Sequence, residues 1–120
     1  MTCTVQILKM TSLTDEDFWN KQDPFVTVNY GKNEFKTARR DNSGKVAKWA
    51  NESFKYKIGS LSENVYIKAE DYDPTDPNDL IGKRTITAGK FCPKGTKDYS
   101  WNIYRNGKYN GQIKFRTTRK

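Results

Sequence analysis

Two-residue alternation of apolar and polar side chains recurs along this chain, and it limits the fold more than any other feature. Phe54, Tyr56 and Ile58 alternate with Lys55 and Lys57, and Val65, Ile67 and Ala69 alternate with Tyr66 and Lys68. Strand side chains point to opposite faces in turn, so each stretch describes a strand with one dry face and one wet, lysine-bearing face. Similar stretches occupy residues 3–10, 25–30, 34–38, 81–87 and 112–118, and Tyr99, Trp101 and Ile103 mark one more. Residues 39–51 read as a basic loop, 88–97 as a connecting loop, and Asn106 with Gly107 as a tight turn. Trp49 and Trp101 fall at core or near-core positions. No stretch carries a convincing helical period. The expectation is an all-β fold, an eight-stranded antiparallel β-sandwich, in one domain over residues 1–120.

Within that pattern one connection stands apart. The alternation of Val65, Ile67 and Ala69 runs into DYDPTDPNDLIG, residues 71–82, where Asp71, Asp73, Asp76 and Asp79 fall within nine residues. Pro74 and Pro77 forbid a helix or a continuing strand between them, so these residues read as an acidic loop joining two strands. Four carboxylates on one short loop repel each other, and a hard cation relieves that repulsion. Calcium takes six to eight oxygens at roughly 2.3–2.6 Å, which suits such a loop. The loop is not an EF-hand. That motif needs Gly at its sixth position and an acid at its twelfth, where this chain has Asp76 and Gly82.

Composition excludes several classes of function. With no histidine, the chain lacks the usual catalytic base and the usual zinc ligand, and Ser-His-Asp and Cys-His chemistry is ruled out. No catalytic constellation remains, so a non-enzyme is expected. Cys3 and Cys92 are too few and too far apart for a disulfide framework or a zinc signature. There is no membrane-spanning run and no export signal, so the expectation is a cytoplasmic protein with reduced thiols.

The net charge of +8 points to an anionic partner. Nine of the fourteen acids lie in two windows: Asp15, Glu16, Asp17 and Asp23, then Glu70, Asp71, Asp73, Asp76 and Asp79. The remainder is a basic body beside an acidic lip. If both windows sit at one end of a sandwich, Asp17, Asp23, Asp71, Asp73 and Asp79 supply enough oxygens for two calcium ions.

The run from Asp17 to Asp23-Pro24-Phe25-Val26, then Trp49, Asn51, Glu52 and Phe54, then Asp71, Asp73 and Asp79-Leu80-Ile81-Gly82, resembles the calcium-binding C2 domain over essentially the whole chain. The resemblance implies a sandwich whose loops at one end bind Ca2+ and meet a phospholipid surface. Carried over, the side-chain ligands are Asp17, Asp23, Asp71, Asp73 and Asp79, with the carbonyls of Glu16 and Tyr72 completing the shell. Gln22 stands where the family often has a small hydroxyl residue. Residues 46–48 replace a customary Asn-Pro, and Ala50 looks inserted. The ending Gly111-Gln112-Ile113-Lys114-Phe115 resembles the closing strand of the type II topology.

The function this implies is calcium-dependent binding to anionic phospholipid, with recruitment from cytoplasm to membranes when calcium rises. Phe18 and Trp19, in the first acidic loop, either insert among headgroups or fold back beneath the loop. Lys32, Lys36, Arg39, Arg40, Lys55 and Lys57 either form a basic face for phosphatidylserine or phosphoinositide, or are a solvated face that guards strand edges. The alternative is a calcium-independent basic module binding nucleic acid, phosphoinositide or protein. No nucleic-acid reader signature is present, which makes that partner the weaker fit.

Overall fold

A computed structural model of the chain describes residues 1–13, 22–41, 43–50, 52–75 and 77–120. Nine strands run β1 (Thr2–Ser12), β2 (Pro24–Tyr30), β3 (Asn33–Lys36), β4 (Val46–Lys48), β5 (Ser53–Lys57), β6 (Asn64–Asp71), β7 (Asp79–Thr87), β8 (Gly95–Arg105) and β9 (Lys108–Arg119). They form one curled sheet in the order β3-β2-β6-β7-β8-β9-β1-β4, and β5 also pairs with β1. Every pairing is antiparallel. The curl folds β2 and β6 over β1 and β9 as a β-sandwich, as the alternation predicts.

The inward positions of the alternation make the core. Val5 and Ile7 of β1, Val65 and Ile67 of β6, Ile103 of β8, and Ile113 and Phe115 of β9 are almost completely buried. The Phe91 and Phe115 rings meet edge to face with centroids 5.2 Å apart. Trp49 is buried and Trp101 half-buried against this cluster. Asn106 and Gly107 both take positive φ, 52° and 76°, between Arg105 and its partner Lys108. Two left-handed residues in sequence match the twist of a two-residue hairpin, which is why Asn-Gly suits this turn.

Three boundaries differ from the sequence reading. The basic loop contains a short strand, β4, because Ala47 faces Met10 across the sheet and both are buried. The connecting loop opens with a one-turn helix, α1 (Ala88–Phe91), whose Ala88 and Phe91 fill the core. Asp71 and Asp79 belong to strands rather than to the loop, because Asp71 pairs with both Pro24 and Asp79.

The expected reduced thiols are also corrected. Cys3 and Cys92, 89 residues apart, form a disulfide with Cα atoms 6.3 Å apart. Sheet order brings them together: Cys3 pairs with Arg119 on β9, and Arg119 pairs with Gly95, just past Cys92. Both cysteines are fully buried. Among the described residues no helix is long and apolar enough to cross a membrane.

Candidate functional site

The acidic end of the sandwich is built by the entry to β2 and the β6–β7 connection. Pro24 sits at the first position of β2, where a strand tolerates proline, and Asp23 immediately precedes it. The Asp23 N–H donates to Asp71 Oδ1 at 2.8 Å, and the Tyr72 N–H donates to the Asp23 carbonyl at 3.1 Å. These bonds tie together aspartates 48 positions apart in sequence. Asp71 is only 6% exposed, so its carboxylate is aimed into the structure and held by a backbone donor. Asp79 lies opposite it in the ladder and is exposed.

Asp73 organises the loop between them. Its Oδ1 accepts from the Thr75 N–H at 2.9 Å and from the Thr75 hydroxyl at 3.1 Å. Its own N–H donates to Asn78 Oδ1 at 2.8 Å. Short polar side chains bonding nearby backbone are the usual means of closing such a loop. Asp23, Asp71, Asp73 and Asp79 are thus at one end, while Asp17, Glu16, Phe18 and Trp19 lie outside the described residues. Among the described residues no three histidine, cysteine or acidic side chains form a metal-holding group.

Two buried amides support this end: Gln22, which the sequence marks only as a departure from the family pattern, and Asn110, which it does not mark at all. Gln22 Nε2 donates to Ser12 Oγ at 3.0 Å and to the Gly44 carbonyl at 3.2 Å, while the Gln22 backbone carbonyl accepts from the Ser43 N–H at 3.0 Å. The long amide thus bridges β1 and the middle loop. Asn110 Nδ2 donates to the Ile81 carbonyl at 2.7 Å, and the Asn110 backbone carbonyl accepts from the Leu13 N–H at 3.0 Å. Ile81 is the extra residue of a β-bulge, since Glu70 pairs with Leu80 while Ala69 pairs with Gly82. Bulges re-aim a strand end, and Asn110 holds this one in place. Gly82 lies against Ile103, where a Cβ would come within 2.9 Å of that side chain. The Leu80-Ile81-Gly82 run therefore has a half-buried residue, a bulge and a close approach, each set by packing. Local composition marks none of these, because the partners lie 21 to 29 residues away.

The six predicted basic residues fall in three places. Arg39 and Arg40 are beside the acidic end. The Arg39 guanidinium lies 4.1 Å from the centroid of the Tyr72 ring and pairs with Asp41. Arg40 Nε donates to the Lys48 carbonyl at 2.9 Å and Nη2 meets Glu52 at 3.4 Å. Lys32 is in the turn after β2, at the opposite end, and Lys36 on β3 faces Glu34 at 3.5 Å. Lys55 and Lys57 are on β5, which pairs with β1, and face outward from the other half of the sandwich. Phe35 and Phe54, stacked with centroids 4.1 Å apart between the halves, fix that separation.

The acidic end also has an apolar and basic fringe. Leu13 and Tyr109 are 54% and 44% exposed and line a shallow pocket with Arg105, Asn106, Lys108 and Asn110. The Asn-Gly turn signals a hairpin but not which end of the sandwich it joins.

The fold and the matching sequence identify the family. The family model described as C2 domain matches residues 1–103, and the chain belongs to that family, a family of binding modules. Elicitor-responsive protein 1 of Oryza sativa subsp. japonica is 26% identical over 129 residues, covering 95% of this chain and 80% of that protein. The 16 kDa phloem protein 2 of Arabidopsis thaliana is 25% identical over 113 residues, covering 93% and 76%. Among solved structures, a C2 domain of plant Extended Synaptotagmin 1 superposes with a TM-score of 0.84 at 18% identity, covering 98% of this chain and 92% of that one. The calcium-bound pair of C2 domains of Extended-Synaptotagmin 2 matches with a TM-score of 0.79 at 17% identity, covering 98% and 44%. At these identities the structural likeness is one of fold.

Proposed function

We propose that residues 1–120 form one C2 domain that binds anionic phospholipid in a calcium-dependent way through its acidic end. The observation that carries this reading is the 2.8 Å bond between Asp23 and Asp71, which joins two acidic windows far apart in sequence. The donors there are carboxylates and carbonyls, the hard oxygen set that calcium prefers and soft metals do not. Asp23, Asp71, Asp73 and Asp79 would hold the ion together with Asp17 and the carbonyls of Glu16 and Tyr72. Bound calcium supplies positive charge: two ions add about four charges to a lip that otherwise repels anionic lipid.

The chain's own residues do the rest. Arg39 and Arg40 place cations beside the lip, and Leu13 and Tyr109 offer exposed apolar surface at that end, with Phe18 and Trp19 as further candidates in the first loop. Burying one such ring contributes on the order of 2–3 kcal/mol. The module would move onto anionic membrane surfaces when calcium rises.

Co-sedimentation with vesicles tests this. Binding is expected on phosphatidylserine-containing vesicles with calcium, reduced in chelator, and the calcium increment should vanish in Asp71→Asn/Asp73→Asn. Equal binding with calcium and chelator rules out the calcium switch. Steeply salt-dependent binding to an oligonucleotide, with no calcium effect, would favour the nucleic-acid alternative.

A further inference from the structure

The outer face of β4, β5, β1, β9 and β8 carries a charge pattern that the lip does not use. Lys48, Lys9 and Lys114 stand opposite one another on β4, β1 and β9 as one cross-strand row. Residues opposed in this way have Cα atoms about 4.5–5.5 Å apart, and like charges so placed repel. Lys55 and Lys57 on β5 oppose Thr4 and Thr2 on the same outer face. Arg116 on β9 opposes Gln6 and is paired with Asp98 of β8 through contacts of 2.7 and 2.9 Å. That guanidinium holds the Asp98 carboxyl below its ordinary range, chiefly by hydrogen bonding, so the one outward acid on these strands is already engaged.

Among the described residues none of the five lysines pairs with a carboxylate. The other outer face also opposes two lysines, Lys68 and Lys83, but acids are interspersed there: Lys36 meets Glu34 at 3.5 Å and Lys68 meets Glu70 at 3.3 Å. Asp98 is also within electrostatic reach of Lys114, but it is a single carboxylate already bonded to Arg116, and folding alone does not favour three lysines in a row beside it. A polyanion laid on the face relieves their repulsion.

We propose that this face is a second docking surface, which binds an anionic lipid bilayer without calcium. Its shape and chemistry select that occupant. The outward residues from Thr2 to Thr11 and their cross-strand partners include no aromatic side chain, and the exposed Tyr104 and Tyr109 of β8 and β9 lie beyond them at the hairpin, so the lysine row itself has no platform for stacking bases. Two open hollows lie on it, one lined by Lys9, Thr11, Ser100, Gln112 and Lys114 and one by Met1, Thr2, Thr4, Lys55, Thr118 and Lys120. Both are walled mainly by threonine and lysine rather than by the apolar side chains that would seat a peptide. The cations of this face that form no ion pair among the described residues are all lysines, mobile point charges that suit many interchangeable phosphates rather than one bidentate partner. An open sheet face roughly 25 Å long with such charges fits a surface of repeating anionic headgroups.

The test is co-sedimentation of the whole chain with phosphatidylcholine vesicles with and without phosphatidylserine, in chelator, at low and high salt. The chain should bind the phosphatidylserine vesicles at low salt and release them at high salt. At about 1 kcal/mol for each lysine near an anionic leaflet, Lys9→Glu/Lys48→Glu/Lys114→Glu should weaken that binding by roughly a hundredfold or more. Lys90→Glu/Lys94→Glu/Lys97→Glu has the same charge change off this face and should weaken it far less. Equal losses in the two variants would reduce the effect to net charge and overturn the assignment. So would absence of binding in chelator, or binding of an oligonucleotide or acidic peptide in preference to vesicles. Circular dichroism of both variants checks folding. The calcium increment is read separately with Asp71→Asn/Asp73→Asn, so either surface can fail while the other stands.

Discussion

The two ends of the sandwich are held together by different means. At one end the Cys3–Cys92 disulfide joins β1 to the segment after α1, and backbone bonds from Ala88 and Gly89 to residues 63 and 61 close the turn beside it. At the other end there is no covalent tie among the described residues, and side chains hold the backbone: Asp71 on Asp23, Gln22 on Gly44, Asn110 on Ile81. One end is a staple. The other is a set of polar contacts around several carboxylates, the place where the proposed calcium would act.

The largest expected effect comes from cutting the staple. Closing a loop of about 90 residues is worth roughly 4–5 kcal/mol in the chain-entropy account. Cys3→Ala/Cys92→Ala should therefore lower the urea midpoint sharply, while calcium still raises the variant's midpoint. If calcium no longer stabilises the folded variant, the two ends are not independent.

Gly111→Ala attacks the lip end instead. Gly111 has a φ of 149°, and a Cβ there would lie 2.1 Å from the Thr11 carbonyl oxygen, where β1 and β9 meet Ser12. A loss of about 2–4 kcal/mol is expected in denaturant unfolding. A near-neutral result would mean that β1 and β9 can separate there without cost.

Asn110→Ala should cost about 1–3 kcal/mol, because it leaves the buried Ile81 carbonyl without its donor. Since that bond fixes the bulge leading from Asp79, the calcium-induced shift in melting temperature should shrink as well. A stability loss with an unchanged calcium shift would make Asn110 a core residue only.

The smallest effect separates the faces rather than the ends. Asp98→Asn removes a solvent-screened ion pair with Arg116 and should leave the urea midpoint almost unchanged. It also uncovers one more cation on the lysine face, so vesicle binding in chelator should rise. No rise would count against that face as the contact.

Much of the architecture is legible in local pattern. The alternations at residues 54–58 and 64–69 place Tyr56, Ile58, Val65, Ile67 and Ala69 inside and their lysines outside, as found. Asn106 and Gly107 announce their turn because few residues accept positive φ twice in succession. The candidate site is half legible. Its aspartates and prolines are visible in sequence, but Gln22 and Asn110 look like ordinary polar residues until their burial is known. The basic residues mislead in a similar way: Lys36 and Lys55 both alternate with phenylalanine, yet the two phenylalanines stack on each other from opposite sides and turn the lysines apart.

The sequence by itself determined which residues of each strand face the core, where the chain turns, and that two short windows hold most of its acid. These depend on periods of two and on the φ preferences of single residues, which are local. Tertiary structure alone decided that Cys3 meets Cys92, that Asp23 meets Asp71, and that Lys9, Lys48 and Lys114 share a row. Each of these depends on strand order and register. An alternation of period two fixes a strand's faces but does not specify its neighbours in the sheet.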